Sequence, residues 1–117
     1  KENQIQNPLN KKKKKKKKRF KNRCKKLGIF YIIKCYNENE EFYKLGITSR
    51  SVKERYGNNQ HMPYQYEIIQ EIKDTPDTIW ELESYLKKFI KSFNLHYIPD
   101  IKFGGHLSEC FVLQQNH

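Results

Sequence analysis

The chain has 117 residues, 32% charged and 36% hydrophobic, which suits one ordinary domain, and no apolar run approaches the roughly 20 residues that span a bilayer. Its formal net charge of +11 is unevenly placed: Lys1 to Lys26 hold fourteen basic side chains against Glu2 alone, a net +13, whereas Leu27 to His117 hold ten basic and twelve acidic ones, a net −2. Basicity therefore belongs to the N-terminal stretch and says nothing about the surface of the rest.

The first stretch is polar and then basic, without the apolar segment of a secretory signal. Cys24, Cys35 and Cys110 are odd in number and match neither a disulfide framework nor a zinc-knuckle spacing, which points to a reducing, intracellular compartment. The chain begins at Lys1 and not at a methionine, so residues upstream are expected. Lys11 to Lys18 form an unbroken lysine run; like charges repel and bury nothing, so residues 1–26 are expected to form a disordered tail. That tail is either a solvated low-complexity tract or a phosphate-binding arm. In the second case Lys11, Lys12, Lys13, Lys14, Lys15, Lys16, Lys17, Lys18 and Arg19 each neutralise phosphate, release counterions and supply affinity without sequence specificity.

From Gly28 the texture changes. Gly28 to Tyr36 is β-branched, aromatic and apolar on both alternating faces, the mark of a covered central strand. Asn37 to Glu40 is a turn, and Glu41 to Ile47 completes a β-hairpin. A short helix, capped by Thr48 or Ser49, covers Ser51 to Tyr56 and stops at Gly57. After a loop containing His61, a third strand runs from Tyr64 to Ile72. Thr75 is an N-cap, Pro76 fits the first helical position and Asp77 complements the dipole of a long helix. Its stripe of Ile79, Leu82, Leu86, Phe89, Ile90 and Phe93 should face the sheet. Leu95 to Leu107 is irregular, and Ser108 to Leu113 closes the domain as a short strand. The expected fold is α+β, a small, mainly antiparallel sheet of three to four strands with helices packed on it, over residues 27–113, followed by a tail at 114–117.

On the long helix Glu83 lies roughly 60° from Leu86, at the edge of the stripe, whereas Glu81 lies about 140° away and faces solvent. A carboxylate at such a boundary needs a partner: Lys87 four residues on, or a metal. Tyr31 alone reads as a packed aromatic, Arg55 as a surface charge, and Lys44 as unusual within a strand covered on both faces. His61 and His106 have no second ligand at a metal-binding spacing and read as loop residues.

Taken together, Gly28-Ile29-Phe30-Tyr31-Ile32-Ile33, Tyr43-Lys44-Leu45-Gly46-Ile47-Thr48, Arg55 and Leu82-Glu83-Ser84-Tyr85-Leu86 resemble the GIY-YIG endonuclease superfamily. The likeness is greatest to its KIG-type branch, common in phages and large DNA viruses, which also tends to end like Gly105-His106-Leu107-Ser108-Glu109-Cys110-Phe111. The resemblance implies a metal-dependent DNA endonuclease, of the kind often found in homing or mobile elements and working as a nickase or a transient dimer on DNA. It implies Tyr31 as general base, Lys44 steadying the nucleophile or the phosphate, Gly46 for close backbone passage, Arg55 on the scissile phosphate, and Glu83 holding one Mg²⁺ or Mn²⁺. No other cofactor is implied. Phe30 stands where a literal alignment puts the first tyrosine; Tyr31 keeps Ile33 in phase. The late asparagine of many members has only Asn94 as a match, and Glu109 reads as a structural feature of the branch. A non-cleaving nucleic-acid-binding domain and a protein-interaction module are the alternatives.

Overall fold

A computed structural model describes residues 8–57, 62–103 and 109–113. They form α1 (Pro8–Arg23), β1 (Gly28–Tyr36), β2 (Glu41–Thr48), α2 (Val52–Arg55), β3 (Gln65–Asp74), α3 (Pro76–Ser92) and β4 (Cys110–Phe111). The four strands make one antiparallel sheet in the order β3-β1-β2-β4. No helix among the described residues is long and apolar enough to cross a membrane.

The central strand is the one whose sequence is apolar on both faces. Tyr31, Ile33 and Cys35 of β1 point to one face, with Phe42, Val52, Tyr56, Met62, Tyr64 and Cys110. Phe30 and Ile32 point to the other, against Leu45, Ile79, Ile90 and Phe111. The hairpin closes on Asn37, whose Oδ1 accepts the backbone N–H groups of Asn39 and Glu40 at 2.8 and 2.9 Å, an Asx turn. β3 carries an irregularity at Ile69, where the register against Ile32 and Ile33 slips by one residue.

α2 is capped by Ser51, not by Thr48 or Ser49. Ser51 Oγ accepts the Glu54 N–H while the Glu54 carboxylate accepts the Ser51 N–H, a reciprocal capping box. α3 starts at Thr75 as expected, its hydroxyl accepting the Thr78 N–H. Its buried line is Ile79, Glu83 and Ile90, with Leu82 and Leu86 half-buried, and it excludes two members of the expected stripe, for Phe89 and Phe93 are exposed. Asn94 ends the helix at φ 54, with the Leu95 N–H bonded to the Ile90 carbonyl and the Asn94 N–H to that of Lys91. The late asparagine thus stands at a helix C-terminus, in the left-handed conformation that such a stop requires.

The N-terminal stretch departs from expectation. From Pro8 to Arg23 it is helical, and one of its side chains is in the core: Phe20 is 1% exposed, Cys24 just beyond the helix is buried, and both join the cluster containing Phe30 and Ile79. Gly28 admits the Phe20 ring, since a Cβ there would lie 2.8 Å from its Cζ. Opposite charges fix the rest. Lys17 Nζ lies 3.7 Å from Asp77 and 3.3 Å from Glu81, and Lys21 lies 3.2 Å from Asp77, all on the first turns of α3. A boundary at residue 26 therefore does not hold, because the lone aromatic among the lysines has a place to be buried. Residues 1–7, His61, His106 and the tail 114–117 lie outside the described residues.

Candidate active site

Among the described residues β4 pairs with β2 at Tyr43 and Lys44 and does not extend to the Gly46 end of that strand. A cavity of about 730 Å³ opens there, and Tyr31, Gly46, Arg55, Glu83, Lys87 and Glu109 line it together with the near face of α1. Three of the four residues nominated from the motifs thus reach one space from three different elements.

Tyr31 stands directly across from Gly46 in the β1–β2 ladder. Its ring lies over that glycine so closely that a Cβ would come within 2.5 Å of the hydroxyl, so glycine is a condition for the ring's position. Tyr31 is 1% exposed, and its hydroxyl shares a 2.7 Å hydrogen bond with that of Tyr56, the rings meeting edge-on. Burial pushes the Tyr31 hydroxyl well above the usual tyrosine range, Tyr56 and Glu109 push it further, and Arg55 opposes them weakly. The Arg55 charge thus does not bring the Tyr31 hydroxyl down toward neutral pH, which runs against the general-base role that the resemblance implies. Arg55 leaves the C-terminal end of α2, its guanidinium 5.2 Å from the centre of the Tyr56 ring, a cation–π contact that aims it at the cavity.

Lys44 is placed otherwise than the resemblance implies. It is 2% exposed, does not line the cavity, and bonds Glu109 Oε1 at 2.6 Å. Burial disfavours its charge most, but Glu109 with Tyr56 and Cys110 outweighs that and holds Lys44 above its ordinary value. Burial likewise works to raise Glu109, and Lys44 with Lys87 overcomes it, so this carboxyl titrates below the usual glutamate range. Lys87 Nζ lies 3.4 Å from Glu109 Oε2 and 3.6 Å from Glu83 Oε1. Glu83, 6% exposed, is the least compensated member: burial raises its pKa, Lys87 lowers it and the Glu109 charge raises it again, for a net rise.

The expected Glu83–Lys87 pair is therefore real, but it is a buried part of a four-membered cluster and not a surface pair. Glu109 and Tyr56 were not nominated for the site. The first had a signal in its place within the terminal segment; the second had none, because only the capping box turns α2 so that Tyr56 meets Tyr31. Among the described residues no group of three or more His, Cys, Asp and Glu side chains gathers as a metal cluster. Of the nine basic residues proposed as an arm, Lys12, Lys13, Lys16 and Arg19 line the cavity, Lys17 is paired with α3, and Lys11, Lys14, Lys15 and Lys18 are exposed elsewhere. Comparison with protein-family models, curated proteins and solved structures finds no match to this chain.

Proposed function

We propose that this chain is a metal-dependent DNA endonuclease of the GIY-YIG kind, hydrolysing phosphodiester bonds in the cavity at the Gly46 end of β2. The observation that carries the reading is the meeting of Tyr31, Arg55 and Glu83, nominated from short motifs far apart in sequence, in one cationic cavity. Arg55 would bind the scissile phosphate and offset the charge that builds on its oxygens. Tyr31, keeping its proton, would orient the attacking water through its hydroxyl and the Tyr56 hydroxyl beside it.

Glu83 fits a divalent cation by the chemistry of its surroundings: its carboxylate is in the cavity wall, and its ionised form lacks full compensation. A single carboxylate suits Mg²⁺, which keeps several waters. When bound, Mg²⁺ or Mn²⁺ supplies neutralisation of phosphoryl charge and an acidified water. Lys44, held by Glu109, fixes the carboxylate to which Lys87 also points, and so acts as a positioning residue away from the phosphate.

The test is nicking of supercoiled plasmid with Mg²⁺ or Mn²⁺ by the purified chain and by Tyr31→Phe, Arg55→Ala and Glu83→Gln. The parent should nick and each variant should lose about 100-fold or more, the scale of removing a charge-stabilising or proton-transferring group. Variants as active as the parent, or a parent that binds DNA without cutting, overturn the catalytic reading. The second result favours the non-cleaving alternative, with which the closed Lys44–Glu109–Lys87–Glu83 cluster is also compatible.

A further inference from the structure

A lysine run that only tethers DNA has no preferred side. α1 has three. At roughly 100° per residue one side carries the buried Phe20, with Lys13 two turns before it exposed in the cavity wall, and Lys17 and Lys21 beside it are paired with α3. Lys12, Lys16, Arg19 and Arg23 fall within a sector of about 60° on the next side, and all four line the cavity that contains Tyr31 and Glu83. Lys11, Lys14, Lys15 and Lys18 share the far side, exposed and away from it.

We infer that the Lys12–Lys16–Arg19–Arg23 face is a built phosphate track, holding the DNA strand beside the bond to be cut. The inference rests on the DNA-cleaving reading for its substrate. Three features support it. These four cations have no acidic partner among the ion pairs of the described residues, whereas Lys17 and Lys21 have theirs. The burial of Phe20 against Trp80, with ring centres 6.1 Å apart, fixes the rotation of the helix and so the direction in which the face points. From Lys12 to Arg23 the helix rises roughly 16 Å, which spans about five phosphate-to-phosphate steps at the roughly 3.4 Å axial rise of one strand. Arg55 and Lys88 continue the cationic lining toward the scissile position.

The experiment compares two variants of the 117-residue chain of equal charge. One is Lys12→Gln, Lys16→Gln, Arg19→Gln and Arg23→Gln together; the other is Lys11→Gln, Lys14→Gln, Lys15→Gln and Lys18→Gln together. Affinity for a fluorescein-labelled DNA duplex is measured by anisotropy in EDTA over a range of salt, with circular dichroism to check that α1 stays helical. Removing the cavity-facing cations should weaken binding at least about tenfold more than removing the far-side ones. It should also lower the slope of log affinity against log salt by about three to four, against one or less for the far side. Equal losses in the two variants, or none in either, would overturn the track in favour of a generic tether or no role. A parent that binds but never nicks, with the difference between faces intact, refutes the nuclease and leaves the track standing. A parent that fails to bind the duplex refutes both.

Discussion

Two groups of lysines in this molecule sit in opposite surroundings. Those of α1 are mostly exposed, and Lys17 and Lys21 face acids that are themselves exposed. Lys44 is 2% exposed and bonded to a buried glutamate. Both arrangements are ion pairs on paper. Water and salt screen the first to a few tenths of a kcal/mol per pair, whereas the second has given up hydration that its partner alone replaces, so separating it is costly even if forming it is not strongly favourable. The difference shows which charges are scaffold and which are available to a ligand: buried ones are committed, and exposed ones on a fixed helix are not.

The largest expected effect comes from breaking the buried pair. Glu109→Ala leaves Lys44 uncompensated and should cost about 4 kcal/mol in denaturant unfolding; a loss below about 1 kcal/mol would mean that water reaches Lys44 and that the contrast is false. The pH dependence has a definite sign. Glu109 titrates below its ordinary 4.5 in the folded chain, so its stabilising contribution is complete above that value and disappears as the pH falls through the lowered pKa. Lys44 is raised above 10.5, and its contribution is complete below that value and lost as the pH rises beyond it. The Glu109→Ala variant should lose the share of the acid limb that Glu109 contributes.

Phe20→Ala comes next, at about 3 kcal/mol for a buried aromatic. Without this anchor the eight adjacent lysines have only the exposed pairs of Lys17 to set against their mutual repulsion, although lysine itself is a good helix former. Hydrogen exchange should show α1 losing protection while α3 keeps it. Equal protection of α1 in the variant would place its stability in the ion pairs instead.

These two residues also mark the limit of what the sequence discloses. The bounds of β1 follow from its two-sided apolar run, and the start of α3 from Thr75 and Pro76, because the signals are local and contiguous. Among the described residues β4 is two residues long, paired with Tyr43 and Lys44 of β2, which is shorter than its apolar segment suggests. Glu83 could be picked out because helical periodicity places it beside the buried line. Phe20 is a single apolar residue in a charged stretch, and its partners lie on β1 and α3. The Lys44–Glu109 bond joins residues 65 positions apart, and although a lysine in a covered strand calls for a partner, neither neighbourhood says which residue it is.

A smaller change of opposite sign is expected at Glu83. Its folded pKa is raised above 4.5, so the native state holds its proton more tightly and stability falls as the pH rises through that window. Glu83→Gln should abolish this fall and leave the chain more stable than the parent near neutrality, even as metal-dependent cleavage is lost. A variant less stable than the parent at pH 7 would show that the Lys87 pair outweighs burial, making Glu83 a structural residue and weakening its assignment to a metal.

The smallest effect lies at the exposed pairs, and it bears on how α1 is aimed. Asp77→Asn with Glu81→Gln removes the acids facing Lys17 and Lys21 and should cost roughly 0.5 to 1 kcal/mol in total at low salt, fading as salt is added. Phe20 keeps the helix docked, so the cavity-facing side stays in place while two more cations become free. DNA affinity should therefore rise slightly, with a steeper salt dependence, although no basic residue has been added. If affinity falls instead, Asp77 and Glu81 are needed to set the rotation of α1, and the orientation of the cationic face depends on surface charge as well as on the buried ring.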